Sequence, residues 1–290
     1  MNYPPRINPA KETKKIITFI ADTFKKSGKT TALIAASGGV DSTTILLLTA
    51  KAIKPQNVRV LHLPSKTTDS VHLKHSQLAT KAAKIPEKNI TIINIGGIIQ
   101  KTWNIIKQTS PIALEKKGVS GRKKRNQEIA RLSRLRLANL TARIRMLVIY
   151  DQAKLHDDLV VGTENHSEHL LGYYTRFGDE ASDLEPIKYL YKTQVRQLAT
   201  HLKIPKEISQ KPPTADLWRG QTDEGELGFS YEESDPILYL AFEQHLSPKK
   251  VSAKLTAVTK KDPKETEVLV KKVLHWAEAN DFKHHLPYTL

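Results

Sequence analysis

The run Ser37-Gly38-Gly39-Val40-Asp41-Ser42 carries the residue types best suited to chemistry. It follows the apolar residues Leu33-Ile34-Ala35-Ala36 and leads into a helical pattern. Strand, glycine pair and helix in that order can cradle phosphate. Glycine lets the backbone turn sharply and approach an anion closely. Successive backbone N–H groups form a concave donor array, and the following helix adds the positive end of its dipole. Ser37 and Ser42 supply hydroxyl donors. Asp41 would repel phosphate directly, but it suits a magnesium ion that bridges carboxylate and phosphate oxygens. A tight turn with a serine cap uses the same residues, so the loop alone leaves both readings open. It is not a Walker A loop, because the four-residue spacer and the Gly-Lys-Ser/Thr ending are missing.

The flanking elements must hold this loop in place. Ile16, Ile17, Ile20 and Phe24 recur at helical spacing and predict a helix from about Pro9 to Lys26. Thr30 to Ala36 reads as a buried strand, Asp41 to Lys51 as a helix and Val58 to Leu63 as a second strand. A helix over Thr67 to Lys84 and a third strand over Ile90 to Ile95 follow. A long helix is expected from about Asn126 to Leu155, then a strand at Leu159 to Gly162 and a loop-rich stretch from Thr163 to Pro186. Further helices are expected at Thr193–Leu202, Pro236–Gln244 and Pro263–Asn280. Strands alternating with helices imply parallel βαβ units. The expected fold is α/β, a parallel sheet flanked by helices with extra helices at the C-terminal end, in one domain over residues 1–290.

Composition narrows the function classes. The 290 residues contain no cysteine, which excludes a disulfide scaffold, a thiolate metal site and a cysteine nucleophile. The N-terminus lacks a signal-peptide core and no apolar run is long enough for a bilayer. A cytoplasmic enzyme without a membrane partner is the expectation. The formal net charge is +16. That charge fits a solvated surface or an anionic partner, and composition does not separate the two.

The loop resembles the signature of the PP-loop ATP pyrophosphatase superfamily, which cleaves ATP between the α- and β-phosphates. Later blocks narrow the resemblance. They are Asn139 to Met146, Val161 to Glu168, Gly172 to Asp179, Asp183 to Ile187, Leu190 to Arg196, Lys211 to Trp218 and Gln221 to Gly228. Each is similar to a block of the NAD synthetase family, in the family's order. The resemblance implies the adenine nucleotide alpha hydrolase-like fold and ATP-dependent amidation of deamido-NAD by ammonia, through an adenylate, with release of AMP and pyrophosphate. It implies Mg²⁺ on Asp41 and Glu168. ATP contacts would come from Ser37, Gly38, Gly39, Val40, Asp41, Ser42, Thr163, Lys192 and Thr214. Deamido-NAD would meet Asn139, Arg143, Arg176, Asp183 and Lys283. Asp41 and Asp179 would be the catalytic acids, with Asp179 orienting ammonia or taking a proton from ammonium. Tyr173, Tyr174 and Phe177 could stack on the nicotinate ring. A homodimer is implied, and no nucleic-acid partner is expected.

Four places depart from the family pattern, the last being a basic stretch longer and more charged than usual. Lys74 and His75 stand within Pro64 to Gln77 where relatives tend to be acidic or small. Arg176 stands where many members have Lys, and Phe282-Lys283 replaces a His-Lys pair. The basic stretch Lys116 to Arg136 reads as a mobile lid over anionic substrates or as a solvated loop. Without a cysteine glutaminase in the chain, free ammonia is the expected nitrogen donor, or a separate glutaminase subunit. Two other readings are another PP-loop ligase, such as a GMP synthetase-like amidase or a tRNA-modifying adenylase, and a non-catalytic adenine-nucleotide binder.

Overall fold

The computed structural model describes residues 3–65, 70–107, 122–214, 217–218, 220–285 and 287–288, without side-chain detail at 70 and 122–125. Four parallel strands form the sheet: β1 (Ala32–Ala35), β2 (Val58–His62), β3 (Ile90–Ile92) and β4 (Leu159–Val160), in the order β3-β2-β1-β4. Ala32 pairs with Val58 on one side and with Leu159 on the other. β1 is thus central, and Ala32, Leu33 and Ile34 are buried. An apolar run with no polar alternation is what a strand covered on both faces requires.

Successive strands step away from β1 in one direction, and β4 returns on its other side. That reversal makes a topological switch point between the ends of β1 and β4, where α/β sheets open a crevice at their C-terminal edge. The loop after β1 and the loop after β4 border it. Extended backbone prolongs the sheet past β4: Val161 bridges to Leu184, and Gly162 N–H donates to Leu184 O at 2.9 Å.

α1 (Pro9–Ser27) is capped by Asn8 and buries Ile16, Ile20 and Phe24, three of the residues at helical spacing. α2 (Val40–Ile53) buries most of its length, with Ile45, Leu46 and Leu48 at its centre. α3 (Ser70–Ala82), α4 (Gly96–Ile106) and α5 (Arg122–His156) complete the N-terminal part. α6 (His166–Leu171), α7 (Lys192–His201) and α8 (Lys206–Ser209) lead to α9 (Asp223–Leu227), α10 (Tyr231–Leu238), α11 (Pro248–Thr259) and α12 (Pro263–Asn280). The last four surround their own core of Tyr231, Ile237, Leu240, Val251, Val270 and Val273.

Several expectations need correction. α5 begins at Arg122, four residues before the expected start near Asn126, so residues 122–136 of the basic stretch are helical. The six residues 116–121 of that stretch, and residues 67–69 at the start of the expected Thr67 helix, lie outside the described residues. Inside the supposed loop from Thr163 to Pro186 lies α6, a short helix with a capping box. α4 and α11 were not anticipated. β3 stops at Ile92 rather than Ile95. Among the described residues no helix is long and apolar enough to cross a membrane.

Candidate active site

Two turns bring charge to the switch point. The first is the loop after β1. Gly38 sits at φ +75°, and a Cβ there would meet His72 O at 2.7 Å and both His75 Cβ and Ser76 N at 2.9 Å. Only glycine lets the loop lie against α3. Gly39 then opens α2 with no side-chain cap, which leaves the first amides of the helix as donors for an anion. Ser37 Oγ and Ser42 Oγ lie 3.0 Å apart across the turn.

The second turn is the start of α6. Asn165 Oδ1 accepts from Glu168 N–H at 3.1 Å, and Glu168 Oε2 accepts from Asn165 N–H at 3.3 Å. This reciprocal capping box fixes the Glu168 side chain. Asn165 Nδ2 donates to Asp41 Oδ1 at 3.2 Å and ties the two turns together.

Lys192, the first residue of α7, closes the cluster. Its Nζ donates to Asp41 Oδ2 at 2.6 Å and to Glu168 Oε1 at 2.9 Å, and the residue is 2% exposed. A buried ammonium persists only with such partners. Burial pulls the Lys192 pKa down, but Asp41 and Glu168 outweigh it and hold the amine charged. Burial pushes the Glu168 carboxyl up to about 8 against the pull of Lys192, and Asp41 and Asp223 add to the rise. The Lys192 backbone is anchored in turn: its N–H donates to Ser167 Oγ at 2.8 Å, and Ser167 donates to the buried Asp235 at 2.6 Å. Asp223, buried beside the cluster, accepts from Tyr231 OH at 3.2 Å, and burial raises its pKa.

Asn165 and Asp223 carried no assigned role in the sequence reading. The Asn165-x-x-Glu168 spacing was a visible capping-box signal. Nothing local marked Asp223 as a neighbour of Lys192, because α9 and α7 meet only in the fold.

The second half of the crevice is built around the turn 175–183. Thr175 Oγ1 donates to Asn139 Oδ1 at 3.1 Å, and Arg143 Nε donates to Arg176 O at 3.2 Å. The two α5 residues that share a helix face thus hold one turn. Thr175 N–H donates to Asp179 Oδ1 at 3.0 Å. Asp179 is exposed, yet the protein atoms crowded around its carboxyl raise its pKa. Asp183 Oδ2 accepts from Val160 N–H at 2.7 Å. Lys283 Nζ donates to Gly172 O at 2.6 Å and Tyr174 O at 3.0 Å. Asp183, Lys283, Glu180, Glu185, Lys188 and His284 are among the residues that line a cleft of about 410 Å³.

The expected aromatic platform is not a single stack. Tyr173 OH donates to Glu226 Oε2 at 2.9 Å, Tyr174 lies parallel to His169, and Phe177 is exposed under the Arg176 guanidinium. Arg176 also lies over Phe282, 5.5 Å from its ring centre. Thr163 follows Gly162 at the end of the extended backbone after β4. Thr214 follows Pro213, whose carbonyl accepts from Asp223 N–H at 2.9 Å.

A parallel sheet with a Ser-Gly-Gly-Val-Asp-Ser loop at its switch point, faced by a glutamate and a buried lysine, defines an α/β domain of the PP-loop ATP pyrophosphatase class. Residues 12–287 match the family model described as NAD synthase, and the chain belongs to that family. The NH(3)-dependent NAD(+) synthetase of Sulfolobus acidocaldarius is 38% identical over 241 residues, covering 83% of this chain and 77% of that protein. The solved NH3-dependent NAD synthetase of Campylobacter jejuni, in complex with nitrate, superimposes with a TM-score of 0.71 at 27% identity and covers 98% of this chain and 100% of that one. The NMN synthetase of Francisella tularensis has a TM-score of 0.75 at 24% identity, covering 98% and 99% of the two chains, and attests the fold alone.

Proposed function

We propose that this chain converts deamido-NAD to NAD with ATP and ammonia. The observation that carries the reading is the contact of Lys192 with Asp41 and Glu168 at the head of the phosphate loop. Family membership supplies ATP as a substrate. The substrate carboxylate oxygen would attack the α-phosphorus, forming an acyl-adenylate and expelling pyrophosphate. Ammonia would then attack the acyl carbon, forming the amide and expelling AMP. No enzyme nucleophile is needed, which agrees with a chain that has no cysteine.

The protein's part is to position two polyanions and balance their charge. Ser37, Ser42 and the open amides in the first turn of α2 would bind the pyrophosphate tail. Lys192 would follow the charge as it develops on the leaving group. Thr163 and Thr214 would add hydroxyl contacts from the facing loops. Asn139 and Arg143 would bind deamido-NAD through the turn they already hold, with Arg176, Asp183 and Lys283 around the cleft. Asp179 would take the proton released by ammonium as a general base.

Asp41 and Glu168 are the residues that would hold Mg²⁺. Their oxygens converge on one cation, the Lys192 ammonium, and hard carboxylate oxygens suit that ion. Among the described residues, no group of three or more Asp, Glu, His or Cys side chains is arranged to hold a metal. When bound, the ion supplies neutralisation of the polyphosphate charge.

A homodimer accords with the apolar residues exposed on α4 and α5, namely Ile98, Ile105, Leu147 and Leu155. The deciding assay supplies ATP, Mg²⁺ and deamido-NAD with ammonium or glutamine. Pyrophosphate and AMP should form only with deamido-NAD, and NAD should form with ammonium. Pyrophosphate release that ignores deamido-NAD would overturn the reading. Light scattering of the same preparation tests the dimer.

A further inference from the structure

Lys192 rests on a buried platform as well as on its two carboxylates. Its Nζ lies 5.1 Å from the centre of the Tyr231 ring. Tyr231 and Asp235 stand one turn apart on α10, and both are fully buried. Asp235 holds the head of α7, accepting from Thr193 N–H at 2.9 Å. Tyr231 OH donates to Asp223 Oδ2 at 3.2 Å. Asp223 is 4% exposed, and its Oδ1 has no hydrogen-bond partner among the described residues. Neither Tyr231 nor Asp223 is exposed enough to meet a substrate, so any part they play runs through Lys192.

The four carboxylate oxygens above this platform are all engaged. Asp41 Oδ2 and Glu168 Oε1 accept from Lys192 Nζ. Asp41 Oδ1 accepts from Asn165 Nδ2, and Glu168 Oε2 from Asn165 N–H. A cation arriving at these oxygens must displace a donor, and the ammonium is the donor that like charge repels. A displaced ammonium that stays buried needs other negative charge around it. The face of a tyrosine ring attracts an ammonium, most strongly where water is excluded. Donation of the Tyr231 hydroxyl to a carboxylate makes that ring more electron-rich. A buried carboxylate with an unfilled oxygen is costly on its own, and the charge of Lys192 favours the ionised form of Asp223 against its burial.

We propose that Tyr231 and Asp223 are positioning residues, which hold the Lys192 ammonium when a metal ion takes its oxygens on Asp41 and Glu168. The inference rests on the proposed reading of those two carboxylates as the metal holders. The Lys192 backbone is fixed by its bond to Ser167, so only the end of the side chain has to move. The ring and the carboxylate behind it keep that end charged and in the site. Without them the ammonium would cling to Asp41 and Glu168 and compete with the metal for the same oxygens.

The test is calorimetry of ATP binding to the full chain, first in EDTA and then across a series of Mg²⁺ concentrations. Asp223→Asn and Tyr231→Leu should each raise the Mg²⁺ needed for half-maximal ATP binding about tenfold. Tyr231→Phe keeps the ring and should raise it only about threefold, by loss of one hydrogen bond. ATP binding in EDTA should stay within about twofold of the native value, because the lysine then keeps its carboxylates. Tyr231→Leu changes no charge, so its shift separates lysine placement from the loss of a nearby carboxylate. A platform that merely supported the phosphate loop would weaken ATP equally with and without Mg²⁺, and that result would overturn the proposal. So would a native Mg²⁺ dependence in Asp223→Asn or Tyr231→Leu. Should Tyr231→Leu fail to fold, Asp223→Asn and Tyr231→Phe carry the test, and a native dependence in either overturns it. If the native chain binds no ATP at any Mg²⁺ concentration, the nucleotide reading of the loop falls and this inference with it. If the native chain binds ATP and the variants match it, the inference alone falls.

Discussion

The two halves of the crevice anchor their charges in different ways. In the loop half, charged and polar side chains bond to one another: Lys192 to Asp41 and Glu168, and Asn165 to Asp41. In the half around residues 175–183, they bond mainly to backbone: Arg143 to Arg176 O, Asp183 to Val160 N–H, Asp179 to Thr175 N–H and Lys283 to Gly172 O. A buried cluster of mutually paired charges has no spare partner, so removing one member strands the others. A charge tied to a backbone group shapes a loop and keeps its remaining valences for a ligand. The loop half is therefore a closed ion cluster that must rearrange when polyphosphate arrives. The other half is a preformed frame.

Substitutions can break or sharpen that contrast. Lys192→Ala should have the largest effect, because it leaves Asp41, Glu168 and Asp223 without their shared cation. Pyrophosphate release should fall about 10²–10³-fold, and unfolding free energy by about 3–5 kcal/mol. A near-native denaturation curve would show that the loop half is not the closed cluster described.

Asp41→Asn comes next. Lys192 keeps Glu168, so stability should change by only about 1–2 kcal/mol. Pyrophosphate release should still fall at least about 10²-fold. Near-normal turnover with Mg²⁺ would remove Asp41 from the metal site.

Arg143→Ala tests the frame. The KM for deamido-NAD should rise about tenfold while the KM for ATP stays within about twofold, the size of one lost hydrogen bond to a charged group. Equal effects on the two substrates would mean that the halves are not separable.

The smallest effect is a pH dependence. Burial pushes the Glu185 carboxyl up to about 8, from an ordinary value near 4.5, despite its hydrogen bond from Ser182. A raised acid gives its full stability below its unfolded pKa and loses it as pH climbs to the folded one. The native protein should therefore lose stability between about pH 4.5 and pH 8 relative to Glu185→Gln. Screening at the cleft mouth reduces the difference to about 1 kcal/mol. Parallel melting curves for the two proteins across that range would show that Glu185 ionises freely.

Much of the loop half was legible in the residue order. An apolar strand, two glycines, an acid and a helix are contiguous, so local rules suffice. Gly38 shows where those rules end. Its need for glycine comes from His72, His75 and Ser76 on α3, more than thirty residues away. The long helix through the basic stretch was legible from its apolar spacing, but its start at Arg122, ahead of Asn126, was not, because the residues there are nearly all charged. The loop-rich stretch from Thr163 to Pro186 also holds a helix, α6, that its glycines hid. Its Gly172 punctuates the end of a real helix, where φ is +58°.

The amino-acid sequence by itself determined the parallel α/β class, the phosphate loop and the family blocks, because these depend on residue types at short, regular spacing. The tertiary structure alone decided that Lys192 sits between Asp41 and Glu168 and that Asp223 lies beside them. Those facts depend on where the ends of β1 and β4 meet α6, α7 and α9. Packing sets such meetings between segments far apart in the chain, and no local pattern encodes them.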